Sequence, residues 1–430
     1  MSCLSTSPSI AAATLDLLPP AISEKTEPPF QFEGPEKKLE IDFRPIQTAT
    51  GAAACSSSPP LPISSSSNSP GEVGKSVTTD DGVTFKLTGM RQIRANQWKQ
   101  MLDLVGCKIL SEKSNAYMDM YVLSESSLFV YPRHIMIKTC GTTTLLKGVP
   151  LLLEFAKSLS LEVEFVMYCR KNFMFPAAQL HPHSSFDCEI DALKQLFNGD
   201  AYVLGPLTGE HWNLYIADYS RQDPENEMSQ TLEIMMTELD REVMSYFHKA
   251  HPSYESAQQT TKDLGLDTLL GTSHTSTTDE FMFDPCGYSL NAFSGNVYYT
   301  IHITPEDFQS YVSFETNLRS VKSFDAIIKH VLAVFKPAKF SVSLFTDYAA
   351  AAEDYHYSGI SPLSFPGFVR THKTTQEIEG DCTATLANYV TISRATPRTV
   401  RKTKAVIDCD HPTKSQSNFL RIIQKRDQSC

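Results

Sequence analysis

Around position 125 the chain reads Leu123-Ser124-Glu125-Ser126-Ser127, hydroxyls gathered about one carboxylate. Such a cluster is ordinarily an exposed turn, because serine and glutamate favour water. It becomes reactive in one circumstance. A serine hydroxyl held against the carbonyl of the preceding residue can attack it and convert the peptide bond to an ester. Loss of the α-proton then expels the acyl group, and hydrolysis leaves a ketone at the new N-terminus. That course needs a strained peptide, a base and hydrogen-bond donors for the oxyanion. Two other reactive side chains are Cys140, in Lys138-Thr139-Cys140-Gly141-Thr142-Thr143, and His302, in Thr300-Ile301-His302-Ile303-Thr304-Pro305-Glu306. A free thiol titrates near pH ~8.5 and imidazole near neutrality, so each can carry a proton under physiological conditions. Taken singly, a cysteine is more often a small buried hydrophobe and a strand histidine a satisfied structural side chain. Gly287-Tyr288-Ser289 begins like a hydrolase nucleophile elbow, but Asn291 stands where the closing glycine belongs.

Extended segments must hold these groups. From Ala116 to Thr139 the pattern is strand, short break, strand, with Tyr121, Val122, Phe129, Val130, Ile135 and Ile137 flanking the serines. Between Asn296 and Thr304, Val297, Tyr299, Ile301 and Ile303 share one face, which puts His302 with Tyr298, Thr300 and Thr304 on a polar-lined one. Helical spacing predicts a helix over Gln92 to Leu104 (Trp98, Met101, Leu102, Val105), another after Pro150 (Leu152, Phe155, Ala156, Leu159) and a third over Ser323 to Phe335, stopped by Pro337. Short connections between strands favour antiparallel pairing and an α+β sandwich over a doubly wound parallel fold. Residues 1–29 read as a disordered extension and 30–349 as the domain. A low-complexity insertion occupies 44–83, with Ala52-Ala53-Ala54, Pro59-Pro60 and Ser64 to Ser67; 350–430 hold the end of the domain and a variable tail. The tail's Arg394, Arg398, Arg401, Lys402 and Lys404 read as a solvated basic segment.

With a net charge of −11, the chain lacks the basic balance of a nucleic-acid binder and suits cationic small molecules. Apolar residues make up 41% and charged ones 20%, and no apolar run approaches a membrane span. Ten cysteines without a CxxC pair or zinc-like cadence point away from a metal site and toward a reducing, cytoplasmic compartment. The N-terminal stretch has no basic n-region ahead of an apolar core.

Five segments in order, Phe32-Glu33-Gly34-Pro35-Glu36-Lys37-Lys38-Leu39-Glu40, the serine cluster, the Cys140 segment, Asp284-Pro285-Cys286-Gly287-Tyr288-Ser289 and the His302 segment, closely resemble the eukaryotic S-adenosylmethionine decarboxylases. The resemblance runs from Phe32 to Phe345, broken by the insertion. It implies a four-layer α/β/β/α sandwich of two antiparallel sheets. It also implies a proenzyme that cuts itself between Glu125 and Ser126 into α and β chains that stay associated, with a homodimer left open. Ser126 would become a pyruvoyl group, which forms a Schiff base with S-adenosylmethionine and replaces pyridoxal phosphate as electron sink. The product would be decarboxylated S-adenosylmethionine, the aminopropyl donor for spermidine and spermine.

By the same resemblance Cys140 returns a proton to the substrate carbon, and His302, helped by Ser289, removes the α-proton of the ester during processing. Glu33 and Glu36 are acidic residues of the catalytic centre, Glu33 near the reacting group. Phe32 and Phe283 sandwich the adenine, Leu123 contacts substrate and Glu306 bonds the ribose hydroxyls. Glu40, Thr231, Glu233, Glu315, Lys138 and Phe345 match a buried site for putrescine in animal enzymes. Ser229 and Met167, however, replace an acidic and an aromatic member, and together with Ser127-Leu128-Phe129-Val130-Tyr131-Pro132 this looks more like the plant enzymes, which do not depend on putrescine. A catalytically dead paralogue that activates a partner decarboxylase is the alternative; the presence of Glu125, Ser126, Cys140, Ser289 and His302 weighs against it.

Overall fold

Alternating apolar residues build two eight-stranded sheets laid face to face. The computed structural model describes residues 32–46, 76–78, 84–220, 230–271, 276–307, 309–319, 324–347, 365–378 and 382–394. In the first sheet the spatial order is β4 (Ile109–Ser114), β5 (Asp119–Leu123), β6 (Ser126–Val130), β7 (His134–Thr139), β1 (Lys37–Pro45), β8 (Leu161–Lys171), β10 (Trp212–Asp218) and β9 (Asp200–Leu204). In the second it is β12 (Thr277–Met282), β13 (Tyr288–Ser294), β14 (Val297–Thr304), β15 (Tyr311–Thr316), β11 (Gln230–Thr237), β16 (Lys339–Asp347), β18 (Cys382–Thr391) and β17 (Phe368–Ile378). Neighbours pair antiparallel throughout.

Helices α1 (Ala95–Val105), α2 (Val149–Ser158) and α3 (Phe186–Lys194) cover the outer face of the first sheet. The outer face of the second is covered by α4 (Arg241–Ser245), α5 (Ala257–Asp263) and α6 (Asp325–Phe335). The expected α/β/β/α layering is therefore present. Trp98, Met101, Leu102 and Val105 form the buried stripe of α1, each worth roughly 1.5–3 kcal/mol of burial. That helix starts at Ala95 rather than Gln92 because Gln97 Oε1 accepts the Arg94 N–H at 3.1 Å, closing the first turn there. Its end is set by Gly106, whose φ of +88° suits glycine.

Structure continues beyond Ala349 in β17 and β18, so the second sheet is completed by residues past the reach of the resemblance. At the other junction β1 runs through Pro45, into the 44–83 stretch, and β2 (Ser76–Thr78) inside it pairs with β3 (Thr84–Lys86) just beyond it. Its Ala, Pro and Ser runs, the first 29 residues and the tail from Arg398 lie outside the described residues. Among the described residues no helix is long and apolar enough to cross a membrane, and no group of three or more His, Cys, Asp or Glu could hold a metal ion.

Between the sheets, apolar plugs sit on either side of a polar centre. Met118, Met120, Phe129 and Met136 meet Phe293 and Tyr298 in one plug. Met167, Trp212 and Leu214 meet Phe345 and Leu386 in the other. The β5–β6 hairpin reaches the polar centre with a two-residue turn, since Leu123 pairs with Ser126. Ser124 anchors that turn by donating its N–H to Lys108 O and accepting the Lys108 N–H on its Oγ. Behind β5, Arg91 grips Asp119 through Nη2 at 2.8 Å and Nε at 3.2 Å, both residues buried. Removing one partner of such a pair costs about 3–5 kcal/mol, so the hairpin is held firmly from below.

Candidate active site

Ser126 heads β6 between β5 and β7, its exposure 2% and its φ +115°. A side-chain-bearing residue with that backbone stores about 1–3 kcal/mol of strain. Its Oγ is buried without a hydrogen-bond partner. On the preceding residue, the Glu125 carbonyl accepts the Cys140 N–H at 3.1 Å. A strained peptide, an uncommitted hydroxyl and a donor on the carbonyl oxygen thus meet at one bond. The Cys140 thiol lies 3.9 Å from Glu125 Oε2. Burial, with Glu125 and Glu36 nearby, pushes that thiol well above its usual range. It therefore carries its proton at neutral pH. Burial likewise pushes the Glu125 carboxyl up to about 7, although the Cys140 thiol and Lys37 draw it down.

Facing β6 across the gap, β13, β14 and β15 present Ser289, Asn291, Thr300, His302 and Ser313 in adjacent register. His302 Nδ1 meets Glu36 Oε1 at 2.9 Å, and its Nε2 meets Ser127 Oγ at 2.7 Å. Burial alone would raise Glu36, but Lys138 and the bonds from His302 and Ser313 hold it down at about 2. An ionised Glu36 can only accept, so His302 Nδ1 carries the proton that points to it. Tyr311 OH donates to the other Glu36 oxygen at 2.8 Å. Asn291 Nδ2 donates to Tyr121 O at 2.9 Å, which turns its Oδ1 to Ser127 and Thr300 at 2.6 and 2.8 Å. His302 touches Ser127, not Ser126, in the uncut chain, because side chains alternate along β6 and Ser127 is the one aimed between the sheets. Ser289 is buried beside His302 as its cross-strand partner.

The remaining expected residues divide. Glu33 Oε1 and Oε2 accept the Met174 and Phe175 N–H groups at 2.8 and 2.7 Å. Its carboxylate is thus held chiefly by the main chain, with Gln179 Nε2 at 3.5 Å, and its carbonyl accepts the Gly141 N–H at 2.8 Å beside the Ser126 turn. Leu123 is fully buried in the core under the helices, so its side chain is closed to a substrate and only its main chain beside Ser126 remains available. Phe32, Phe283 and Glu306 are all half-buried. The Glu306 carboxyl, raised by burial, accepts the Phe32 N–H. At Gly141, φ +61°, a Cβ would lie 3.2 Å from the Phe32 ring and 3.3 Å from Glu125 Oε2, so that glycine lets both crowd over the turn. A cleft of about 310 Å³ opens elsewhere, against α3, lined by Leu146, Pro150, Cys188 and Leu196, and holds none of these groups.

Deeper between the sheets, Lys138 Nζ binds Glu233 at 2.6 Å and Glu315 at 3.0 Å. Thr231 and Phe345 face each other in register beside them, and Met167 pairs with Glu40. Ser229 lies outside the described residues. Sequence reasoning missed Lys38, whose Nζ binds Glu40 at 2.9 Å and Glu315 at 3.2 Å. Alternation with Glu40 could have found it, since residues two apart on a strand share a face. Ser127, Asn291 and Thr300 were missed as members of the His302 network.

A family description, adenosylmethionine decarboxylase, matches residues 29–390. The S-adenosylmethionine decarboxylase proenzyme of Dictyostelium discoideum is 40% identical over 358 residues, spanning 83% of this chain and 85% of its own length. Proenzymes of the same description from Drosophila melanogaster and Catharanthus roseus are 41% and 42% identical, spanning 61% and 60% of this chain and 78% and 73% of their own. Those near-equal identities favour neither an animal-like nor a plant-like type. The extent of the match, with the polar centre just described at its middle, leaves one assignment: this chain belongs to the adenosylmethionine decarboxylase family.

Proposed function

We propose that the chain is a self-processing S-adenosylmethionine decarboxylase, cut between Glu125 and Ser126 and active through a pyruvoyl group made from Ser126. The observation that carries this is Ser126 itself, strained at φ +115°, buried and with its Oγ unpartnered, next to a carbonyl that already accepts the Cys140 N–H. Oγ attacks the Glu125 carbonyl while the Cys140 N–H stabilises the oxyanion; the C–N bond breaks, and the hydroxyl proton passes to the Ser126 nitrogen, which becomes an amine. His302 then takes the Ser126 α-proton, expelling the Glu125 carboxylate. The resulting enamine becomes an imine, and one water hydrolyses it with loss of ammonia. Glu36 holds the imidazole for this step.

A ketone at residue 126 supplies an electron sink for the electrons released with carbon dioxide. The buried, protonated Cys140 holds the proton that the substrate carbon requires. Phe32 and Phe283 offer rings to the adenine and sulfonium, and Glu306 a carboxylate to the ribose. The site belongs to a cytoplasmic enzyme of polyamine synthesis. Denaturing gels of purified protein should show fragments of roughly 14 and 34 kDa, from residue shares of 47.9 kDa. A single uncut band would sink the proposal and support a dead, partner-activating paralogue.

Putrescine should leave the turnover unchanged, in the manner of the plant enzymes. Lys38 already places a second ammonium among Glu40, Glu233 and Glu315, where a diamine would otherwise bind. Lys38 and Lys138 are direct cross-strand partners, and like charges so placed are tolerated only because these acids lie between them. Replacing Lys38 with Met is expected to slow processing several-fold and to make it respond to added putrescine. A several-fold stimulation of the unaltered protein would refute this part.

A further inference from the structure

The Cys140–Gly141 turn supplies the N–H that meets the Glu125 carbonyl, yet it lies in a loop with a left-handed glycine and must be held from outside. Its bonds run in three directions. Gly141 N–H donates to Glu33 O at 2.8 Å, and Cys140 O accepts the Thr143 hydroxyl at 2.8 Å. Gly141 O accepts from Lys37 Nζ at 3.0 Å and from Gln179 Nε2 at 3.3 Å. Lys37 Nζ donates also to Gln179 Oε1 at 3.3 Å and lies 5.3 Å over the Phe173 ring.

Lys37 is completely buried. On β1 it shares the helix-side face with Leu39 and Ile41, opposite Lys38 and Glu40, and so plays no part in the charge cluster between the sheets. Burial lowers its ammonium to about 8, with Cys140, Glu189 and Glu33 pulling it back up, so it remains charged at neutral pH. A buried cation is costly unless its protons are used, and those of Lys37 are spent on the turn and on the side chain that shares the turn.

We propose that Lys37, with Gln179, is a positioning residue for self-cleavage: it clamps the Gly141 carbonyl and thereby aims the Cys140 N–H at the Glu125 carbonyl oxygen. Lys37 touches neither the scissile bond nor, by this geometry, the substrate. Its effect falls on the acyl shift, before the ester exists. This rests on the reading of Glu125–Ser126 as the bond that is cut.

The test follows cleavage of freshly purified precursors with time, for the unaltered chain and for Lys37→Met, Lys37→Arg and Gln179→Leu, with thermal unfolding of each. Lys37→Met should slow cleavage about ten- to a hundred-fold, the loss expected when a reacting geometry is slackened rather than removed. Gln179→Leu should slow it by a few-fold, and Lys37→Arg, which keeps the cation, should restore most of the rate. Hydroxylamine cleaves esters, so it should not speed fragment release from Lys37→Met if the acyl shift is what fails. Rapid cleavage by hydroxylamine would place the defect after the shift and overturn the proposal. So would Lys37→Met cutting at the normal rate, or a slow Lys37→Arg whose unfolding temperature falls in step with that of Lys37→Met, which would mark a purely structural lysine. An unaltered chain that stays whole defeats instead the underlying reading of the scissile bond.

Discussion

A chain carrying Ser126→Ala is expected to remain one polypeptide near 47.9 kDa and to decarboxylate nothing above background. The loss should be on the order of 10⁶-fold or more, since the variant lacks both the nucleophile for cleavage and the atoms of the ketone. Misfolding could mimic this, but the local physics predicts the opposite effect on stability. The Ser126 hydroxyl is buried without a partner, a state that costs about 1–3 kcal/mol, so alanine should leave the uncut fold at least as stable. Ser126→Gly should be more stable still, because φ +115° is strained for any residue with a Cβ. A stable, uncut, inactive pair of variants would tie the strain to the chemistry. Normal cleavage of either would remove Ser126 as nucleophile.

Much of the scaffold was legible because periodicity is local. The Trp98–Val105 stripe gave α1, and alternation along β14 put His302 on the polar face, where it is found. The partners of those residues were not legible, since contacts across the gap depend on which strand faces which. Glu36 and His302 are 266 residues apart, and Ser127 and Asn291 are 164. Nothing in either strand alone selects Ser127, rather than Ser126, as the hydroxyl under the imidazole. Lys38 was legible in principle, since it shares a strand face with Glu40, the acid it binds. For Leu123, alternation with Tyr121 places the side chain under the helices, which leaves its main chain beside Ser126 as the part open to a substrate. The tie of the Glu33 carboxylate to the Met174 and Phe175 N–H groups was not legible either, because those amides lie 141 and 142 residues further along the chain.

Replacing His302 with Ala should stop processing at a different point from Ser126→Ala, and that difference tests the order of steps. The acyl shift needs the hydroxyl and the Cys140 N–H, both of which survive the change. Elimination needs a base at the Ser126 α-carbon, and general-base removal typically costs about 10²–10⁴-fold. The precursor should therefore accumulate as an equilibrium of amide and ester, slow to yield fragments by itself. Hydroxylamine should then cleave the ester fraction, releasing a larger fragment with an ordinary serine amine at position 126 and a smaller one ending in a hydroxamate. Glu36→Gln should slow the same step less severely: Glu36 accepts the Nδ1–H of His302, and an amide can no longer guarantee that tautomer. Mass spectrometry of the fragments distinguishes the cases, since the processed chain ends in a ketone and the stalled one does not. If His302→Ala forms the keto terminus at the normal rate, or yields nothing to hydroxylamine, the imidazole between Glu36 and Ser127 is not the base for elimination.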